Sequence, residues 1–590
     1  MISALLFLSG CQENNNESAT LASGTPEAAG PLDVITQIVR QTRVVTPTAT
    51  PGSSRDPVEL DLGYTGGFPN IDPQTAVDQN SLNLVENIFA GLTNFNHNSN
   101  QVEPELAKGW TASEGGRVWT FDLRDDIFWV QPAAIRGRNP EILRPVVAAD
   151  VVTAVQRVCQ AKTGAPDAFI LYLIVGCEQL HSLADPQPAD LNAIGVKALN
   201  DTTLQFTLTK PAGYFLTMTT LPMFTPVPGE LIEEHEEEWT DPENLYTSGP
   251  FLLTSGALSS TRTVLAKNPG WPLPKGGNAD LVNIYFLDDN DSVNELWQSK
   301  NLDIGPLASD QVEDFLTNSP TKARLVTGHT VFYISFNLNS GIFGDPNIRQ
   351  AFSAAIDRQA LVEELYNGRA LAMRHLAPPG VVGAPPIEEV GLSYNPEFAR
   401  QKLLESGFAS CRLMPNITFM VSSLDLSLLQ AELLRDMWVK ELDCSEEQII
   451  IEQVQFGALL AKTRANSGEN RPDIWELGWS SYYPDENNWV THLLHCTESE
   501  NRSERTCNQI DELMRQAGQS TEVEERLALY RRIENLLFSD TGEVPMAPLY
   551  VRGAYRMEHN WVFYTPAHFG GEQYDTYIID AILKKLERSR

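Results

Sequence analysis

The stretch Asp345-Pro346-Asn347-Ile348-Arg349-Gln350-Ala351-Phe352-Ser353-Ala354-Ala355-Ile356-Asp357-Arg358 reads as one helix ending where the next begins. Ile348, Ala351, Phe352, Ala355 and Ile356 recur at i, i+3, i+4, i+7 and i+8, the spacing that lines one face of an α-helix. Asp345 suits the N-cap, where its carboxylate accepts an orphan backbone N–H. Pro346 suits the first helical position, where no N–H is needed. Asp357 then caps a second helix that carries Leu361 and Leu365 and ends at Gly368. Upstream, Phe332, Ile334 and Phe336 alternate as a half-buried strand. Downstream, Thr521 and Glu524 form a capping box before a helical face of Leu527, Tyr530, Ile533 and Leu537. Strands alternating with helices predict an α/β architecture.

The rest of the chain bounds what that architecture can be. Its 590 residues exceed one domain's usual length, so two or three domains with ample core are expected. Charged residues make up 20% and aromatics 9%, a composition that folds rather than staying disordered. No apolar run in the body approaches the roughly 18 residues of a membrane span. With 43 Lys+Arg against 77 Asp+Glu the formal charge is −34, which would repel rather than bind nucleic acid.

The N-terminus reads as an export signal. Residues 1–11 give a short apolar core followed by small residues. The tetrad Leu8-Ser9-Gly10-Cys11 resembles a bacterial lipoprotein box, which implies acylation of Cys11 and anchorage to the membrane through lipid. Residues 12–54 are polar and then rich in Pro, Ser and Thr, the composition of a disordered tether spanning something like 35–40 Å. Setting Cys11 aside leaves six cysteines in three neighbouring couples: Cys159 with Cys177, Cys411 with Cys444, and Cys496 with Cys507. Six thiols allow about 15 pairings, so nearness in sequence only guides the choice, and six buried free thiols are the alternative. Disulfides in an oxidising, extracytoplasmic compartment are the expectation.

Several segments of the body, in order, are similar to the solute-binding proteins of peptide/nickel-type ABC importers (extracellular solute-binding family 5). They include Asn70-Ile71-Asp72-Pro73, Pro104-Glu105-Leu106-Ala107-Lys108-Gly109-Trp110, and Trp119-Thr120-Phe121-Asp122-Leu123-Arg124. Ala149-Asp150-Val151, Ser248-Gly249-Pro250-Phe251, the 347–358 helix, Gly478-Trp479 and Pro545-Met546-Ala547-Pro548-Leu549-Tyr550 follow. The resemblance implies a two-lobed periplasmic-binding-protein-like fold (class II, with an extra inserted subdomain). Residues 55–80, about 245–330 and 540–590 would form lobe one, 81–244 the inserted subdomain, and 331–539 lobe two. Ligand-driven closure of the lobes would be what the permease subunits recognise.

The segment Gly478-Trp479-Ser480-Ser481-Tyr482-Tyr483-Pro484-Asp485-Glu486-Asn487 bears most directly on the ligand. Peptide-binding members of the family carry Trp-x-Ala-Asp-Tyr here, and that Asp meets the peptide's α-ammonium. Tyr482 occupies its place, and a phenol is neutral at pH 7. Trp479, Ser480, Ser481, Tyr482, Tyr483 and Asn487 offer aromatic faces with hydroxyl and amide groups, suited to sugars, neutral amides or end-blocked peptides. Asp485 is the nearby carboxylate that would serve instead only with the loop shifted. Tyr64 and Asn70, with Asp72, are further candidates near the first interlobe strand. For all of these, packing in a core is the plain alternative.

Other signals fail on inspection. Asp288, Asn290 and Ser292 imitate a calcium loop, but Val293 stands at the glycine position and Ser299 at the closing Glu. His235 lacks the second His of a zincin, and Glu230 to Glu243 read as a solvated helical face. His492, His495 and Cys496 have ligand-like spacing, and nickel binders exist in the family, yet a disulfide at Cys496 would remove its thiolate. The expectation is a monomeric, non-enzymatic receptor without cofactor, membrane-tethered at the periplasmic or outer face. It would capture an oligopeptide-like or oligosaccharide-like solute for ABC permease subunits. A secreted hydrolase or a sensory receptor on the same scaffold are the rivals.

Overall fold

The computed structural model describes residues 56–67, 69–131, 141–254, 261–468 and 471–590. The lipoprotein box with Cys11 and the 12–54 tether lie outside the described residues.

The 345–368 stretch folds as two capped helices, Pro346–Ala354 and Arg358–Tyr366. Asp345 accepts the Asn347 N–H at 2.9 Å and Asp357 the Ala360 N–H at 3.0 Å. Ile348, Ala351, Phe352, Ala355 and Ile356 are all buried, and burying a side chain such as Phe352 contributes about 1.5–3 kcal/mol. The two arginines of this stretch are buried too and clamp carbonyls. Arg349 donates to Phe343 and Val544, and Arg358 to Pro548 and Ser353. Burial lowers their pKa values to about 10 and about 9.

Eleven strands form one large sheet. In chain order they are β1 (Glu59–Thr65), β2 (Phe251–Leu253), β3 (Arg262–Lys267), β4 (Leu281–Leu287), β5 (Ile304–Pro306) and β6 (Ala323–Phe336). β7 (Ala370–Ala372), β8 (Ile417–Ser422), β9 (Ile449–Val454), β10 (Ile474–Ser480) and β11 (Met546–Glu558) complete it. Across the sheet the order is β2-β3-β4-β1-β5-β11-β6-β10-β8-β9, with β7 added to β11. β1 lies parallel to β4 and β5, and β8 parallel to β9 and β10. Between these groups run the two long strands, β6 and β11, antiparallel to each other. One end of β11 pairs β5, while the far half of β6 pairs β10. Their mutual register slips between Thr327 and Val331, a local irregularity that bends and twists a strand pair.

The half-buried reading of β6 needs correcting. Ile334 and Phe336 enter one hydrophobic core and Val331 and Tyr333 another, so the strand's far half is covered on both faces. With a core packed on either face, this half of the strand has no solvent side to leave polar.

Residues 81–244 carry a separate four-stranded sheet, ordered Ala107–Ser113, Val118–Leu123, Thr203–Thr207, Val196–Asn200. Three disulfides join Cys159 to Cys177, Cys411 to Cys444, and Cys496 to Cys507. Two local expectations differ from the fold. The glutamates between Glu230 and Glu243 are solvated as expected, but the α-helix stops at His235, a 3-10 turn follows, and Trp239 within it is buried. The helix of Val523–Phe538 begins without a Thr521–Glu524 capping box, and on its buried face Arg526 takes the place given to Leu527. No helix among the described residues is long and apolar enough to cross a membrane.

Candidate functional site

β10 ends at Ser480, and the chain turns through Ser481-Tyr482-Tyr483-Pro484. Pro484 has no N–H for a ladder, so the strand stops short of it. Ser481 is buried and braces the turn: its hydroxyl accepts the Tyr483 N–H at 3.1 Å and donates to the Tyr483 carbonyl. Asp485 makes a single backbone bridge to Val382, and Asn487–Thr491 then winds as one wide π-turn, a geometry frequent at functional positions.

The aromatic residues of the segment divide into accessible and enclosed. Trp479 and Tyr482 are half-buried, their rings meeting edge to face at 5.7 Å. The Trp479 indole donates to the Asn488 carbonyl at 2.9 Å. Tyr482 in turn meets Phe169 at 4.8 Å, and burial pushes its phenol pKa up. Ser480 is exposed and shares a hydrogen bond with Thr330 at 2.6 Å. Tyr483 is enclosed, stacked on Tyr214 with centroids 5.5 Å apart. Its hydroxyl donates to Asn487 Oδ1 at 3.0 Å, and burial holds its pKa well above 10.

Asp485 is fully buried, and its carboxylate is wholly engaged within the protein. Arg526 Nη2 reaches both oxygens, at 2.8 and 2.7 Å. The Thr217 hydroxyl donates at 3.1 Å, the Tyr530 hydroxyl at 3.3 Å and the Asn487 N–H at 3.0 Å. Burial works against the Arg526 charge, but Asp485 and Tyr530 outweigh it and hold its pKa above the ordinary value. Glu486, next in the chain, is as deeply buried, yet neither of its oxygens meets a hydrogen-bond partner among the described residues. Burial, then Glu534 and Asp485, push its carboxyl well above the usual range and favour its neutral form. Gly383 permits this packing. Its φ is +102°, and a Cβ there would lie 2.7 Å from the Tyr530 ring and 2.9 Å from Glu486 Oε2.

The structure thus brings Tyr482, Tyr483 and Asp485 against Phe169, Tyr214 and Thr217 of the 81–244 region, with Trp479 behind them against Tyr482 and His492. Tyr64 and Asn70 share no described contact with them. The Tyr64 hydroxyl is bonded to that of Tyr574 and accepts from Asn83 at 2.8 Å, and burial raises its pKa to about 12. Asn70 bonds locally, to Thr75 and Asp72, and Asp72 pairs with Arg157 at 2.6 Å. Arg526, Tyr530 and Thr217 escape sequence reasoning. A lone Arg on an otherwise apolar helical stripe is the one signal that could have flagged the first.

Two cavities lie apart from this turn. One, of about 600 Å³ with its open mouth included, is walled by β6, β10 and β11 and by residues 422–430 and 456–459. The other, of about 540 Å³ on the same measure, sets Glu86, Glu105, His97, Asn94 and Gln573 among apolar side chains such as Phe89, Phe95 and Phe569. Beside it Lys275 donates to Asn94 at 3.1 Å and stands 4.0 Å from both Glu105 and Asp575. Burial lifts Glu105 to about 8 and drops His97 to about 4. His495, Cys496 and Asp511 place donor atoms within 4.8 Å of one another. The Cys496 sulfur, however, is bonded to Cys507, and Asp511 accepts from the Cys496 N–H at 2.7 Å.

An α/β body with a continuous sheet carried by two long central strands defines a two-lobed binding-protein fold. The match of residues 101–501 to the bacterial extracellular solute-binding proteins, family 5 (middle region), makes this chain a member of that family. Among relatives, the chain is 26% identical over 502 residues to the Probable deoxycholate-binding periplasmic protein YgiS of Escherichia coli (strain K12), covering 84% of this chain and 89% of that one. It is 24% identical over 489 residues to the periplasmic oligopeptide-binding protein OppA of Salmonella typhimurium, covering 81% and 84%. Among solved structures, the unliganded open form of the periplasmic murein tripeptide-binding protein MppA superposes with a TM-score of 0.77 at 22% identity, covering 89% of this chain and 98% of that one.

Proposed function

We propose that this protein is an extracytoplasmic receptor that captures an oligopeptide-like solute between two lobes and delivers it to an ABC importer. Its own role is binding and closure, with no bond made or broken. Membership of the solute-binding family carries the reading. Relatives whose names specify oligopeptides support a peptide ligand, and the one named for deoxycholate leaves room for a non-peptide solute. Oligosaccharides suit the half-buried Trp479–Tyr482 pair on chemical grounds alone. Lobe one would comprise 55–80, 245–330 and 540–590 with 81–244 inserted, and lobe two 331–539. β6 and β11 would act as the connecting strands, flexing near the slip at Thr327–Val331. Cys11 would carry the lipid that holds the receptor at the membrane.

In this reading Tyr482 contributes shape and apolar surface to the site and no charge. Peptides with a free amino end and their N-acetylated counterparts should therefore bind within a few-fold of each other, as measured by calorimetry. Tyr482→Asp should create about a tenfold preference for the free amine, since a hydrogen bond to a charged group contributes about 1.5–3 kcal/mol. A strong preference for the free amine in the unaltered protein would overturn the role given to Tyr482. Failure of every peptide in a broad panel to bind would overturn the peptide reading itself.

A further inference from the structure

The cavity beside β10 has polar groups of two kinds. Those in its floor satisfy one another. Glu476 accepts the Ser422 N–H and the Gln430 side-chain amide, both at 2.9 Å. Gln430 also accepts from the Tyr550 hydroxyl at 2.5 Å, and that hydroxyl accepts from Tyr366 at 3.0 Å. The floor needs no ligand to complete its hydrogen bonds.

Arg552 is different. It lines the same cavity from β11, is exposed, and rests its guanidinium over the Phe332 ring at 4.2 Å. No described residue gives its side chain a hydrogen bond or an ion pair. The stack fixes the fork in place while leaving its N–H donors free. The walls around it are apolar, and the rim keeps large apolar side chains in water: Leu424 is 66% exposed and Phe456 58%. An exposed apolar rim around a fixed, unspent cation is the arrangement expected of a site awaiting an occupant.

The cation decides the occupant's chemistry. A neutral apolar ligand would cover the guanidinium and remove its water without replacing it, a cost of several kcal/mol for an unpaired charge. A carboxylate matches the fork with two parallel hydrogen bonds and restores neutrality. One guanidinium balances one negative charge, and with Glu476 already in the floor a dianion is disfavoured. We propose that this cavity binds an amphipathic carboxylate, with its apolar body against Leu424, Phe456 and Leu477 and its acid group on Arg552. This rests on the receptor reading and names the ligand class the receptor would hold. The acid could be free or the C-terminus of an apolar peptide.

Calorimetry at pH 7.5 with four probes tests this: decanoate and decanamide, and N-acetyl-trileucine as its free acid and its amide. Within at least one pair the acid should bind about tenfold or more tightly than the amide. Arg552→Gln should abolish that difference, and Phe456→Asp should weaken the acid's binding. Both side chains are exposed, and an unchanged denaturation midpoint confirms that each variant is folded. A preference confined to decanoate supports a free acid as the source, and one confined to the peptide supports a C-terminus. Equal binding of acid and amide, or an acid preference that survives Arg552→Gln, overturns the assignment. If other peptides bind and no acid preference exists, this inference falls while the receptor reading stands. If no solute binds at all, the receptor reading falls first.

Discussion

Two arginines in the second half of the chain are put to opposite uses. Arg526 is 4% exposed and held by Asp485, whose remaining oxygen capacity goes to Tyr530, Thr217 and a backbone N–H. Arg552 is exposed, stacked on Phe332 and without an anionic partner among the described residues. The first ties the 479–487 turn to the helix of Val523–Phe538 and, through Thr217, to the 81–244 region. The second makes no ion pair and rests only on the Phe332 ring. A charge already buried with its partner is committed to structure, because uncovering it would strand both ions. A charge held in water by an aromatic ring is available for recognition. The recognition chemistry is therefore expected at the cavity's Arg552 and not at the carboxylate of Asp485.

The largest effect expected tests the committed pair. Arg526→Ala should cost about 3–5 kcal/mol, because it leaves Asp485 buried without its counter-ion. Asp485→Ala should cost a similar amount for the converse reason. The double replacement Asp485→Leu with Arg526→Met should recover most of the loss, since removing both charges removes the desolvation penalty with them. Urea denaturation read by tryptophan fluorescence measures all three. If either single change costs under about 1 kcal/mol, the pair is no more structural than Arg552 and the contrast collapses.

A smaller effect comes from a buried carboxyl whose cation stands off. Lys275 is 4.0 Å from Glu105, and burial lifts the Glu105 carboxyl to about 8 despite it. The sign follows from proton counting. Between about pH 4.5 and 8 the folded state keeps a proton that the unfolded chain has released. The associated stability is complete below about 4.5 and is lost as pH rises towards 8. Each pKa unit is worth about 1.4 kcal/mol, and with the neighbouring carboxyls of Glu86 and Asp575 acting on the same proton a loss of about 2 kcal/mol across the window is expected. His97, lowered to about 4, adds the opposite limb, with stability falling as pH drops from about 6.5 towards 4. Glu105→Gln should flatten the upper limb and leave the lower one. An upper limb of undiminished slope in that variant would assign it to another group.

What the sequence discloses follows the range of the forces involved. The 345–368 helices are legible because spacing, Asp345, Pro346 and Asp357 act within a few residues. The disulfides are legible because their partners are 18, 33 and 11 residues apart. The start of the Val523–Phe538 helix is not, because contact with a distant segment sets it. Gly518 accepts the Gly213 N–H at 2.8 Å, and the Ser520 carbonyl lies so close to Gly213 that no side chain would fit there. That contact pins the chain just before the helix, and Ser520 takes the Glu522 N–H at 3.2 Å in place of a Thr521 cap. The turn at 479–487 is visible as an aromatic, hydroxyl-rich run, but Arg526 is 41 residues from the carboxylate it holds. The Arg552 cavity is less legible still. Its walls come from three strands, the Arg358–Tyr366 helix and two further segments between residues 332 and 552, and no local pattern announces a meeting of that kind.

The smallest effect is the one on which the contrast depends. A cation over a ring at an exposed site contributes about 0.5–1 kcal/mol. Fixing a long arginine side chain in one place costs up to about 2 kcal/mol of rotamer freedom, and the stack immobilises only its outer part. These terms nearly cancel, so Arg552→Ala should shift folding stability by less than about 0.5 kcal/mol. The urea midpoint should barely move and the slope should not change, since no buried surface is exposed by the change. Adding decanoate gives the same experiment a second reading. An acid bound only by the folded state raises the midpoint in proportion to the logarithm of its concentration over Kd. The unaltered protein should show that rise, and Arg552→Ala should lose most of it while keeping its stability without ligand. A variant that loses stability as Arg526→Ala does would place Arg552 among the structural charges, leaving the cavity without its anion partner.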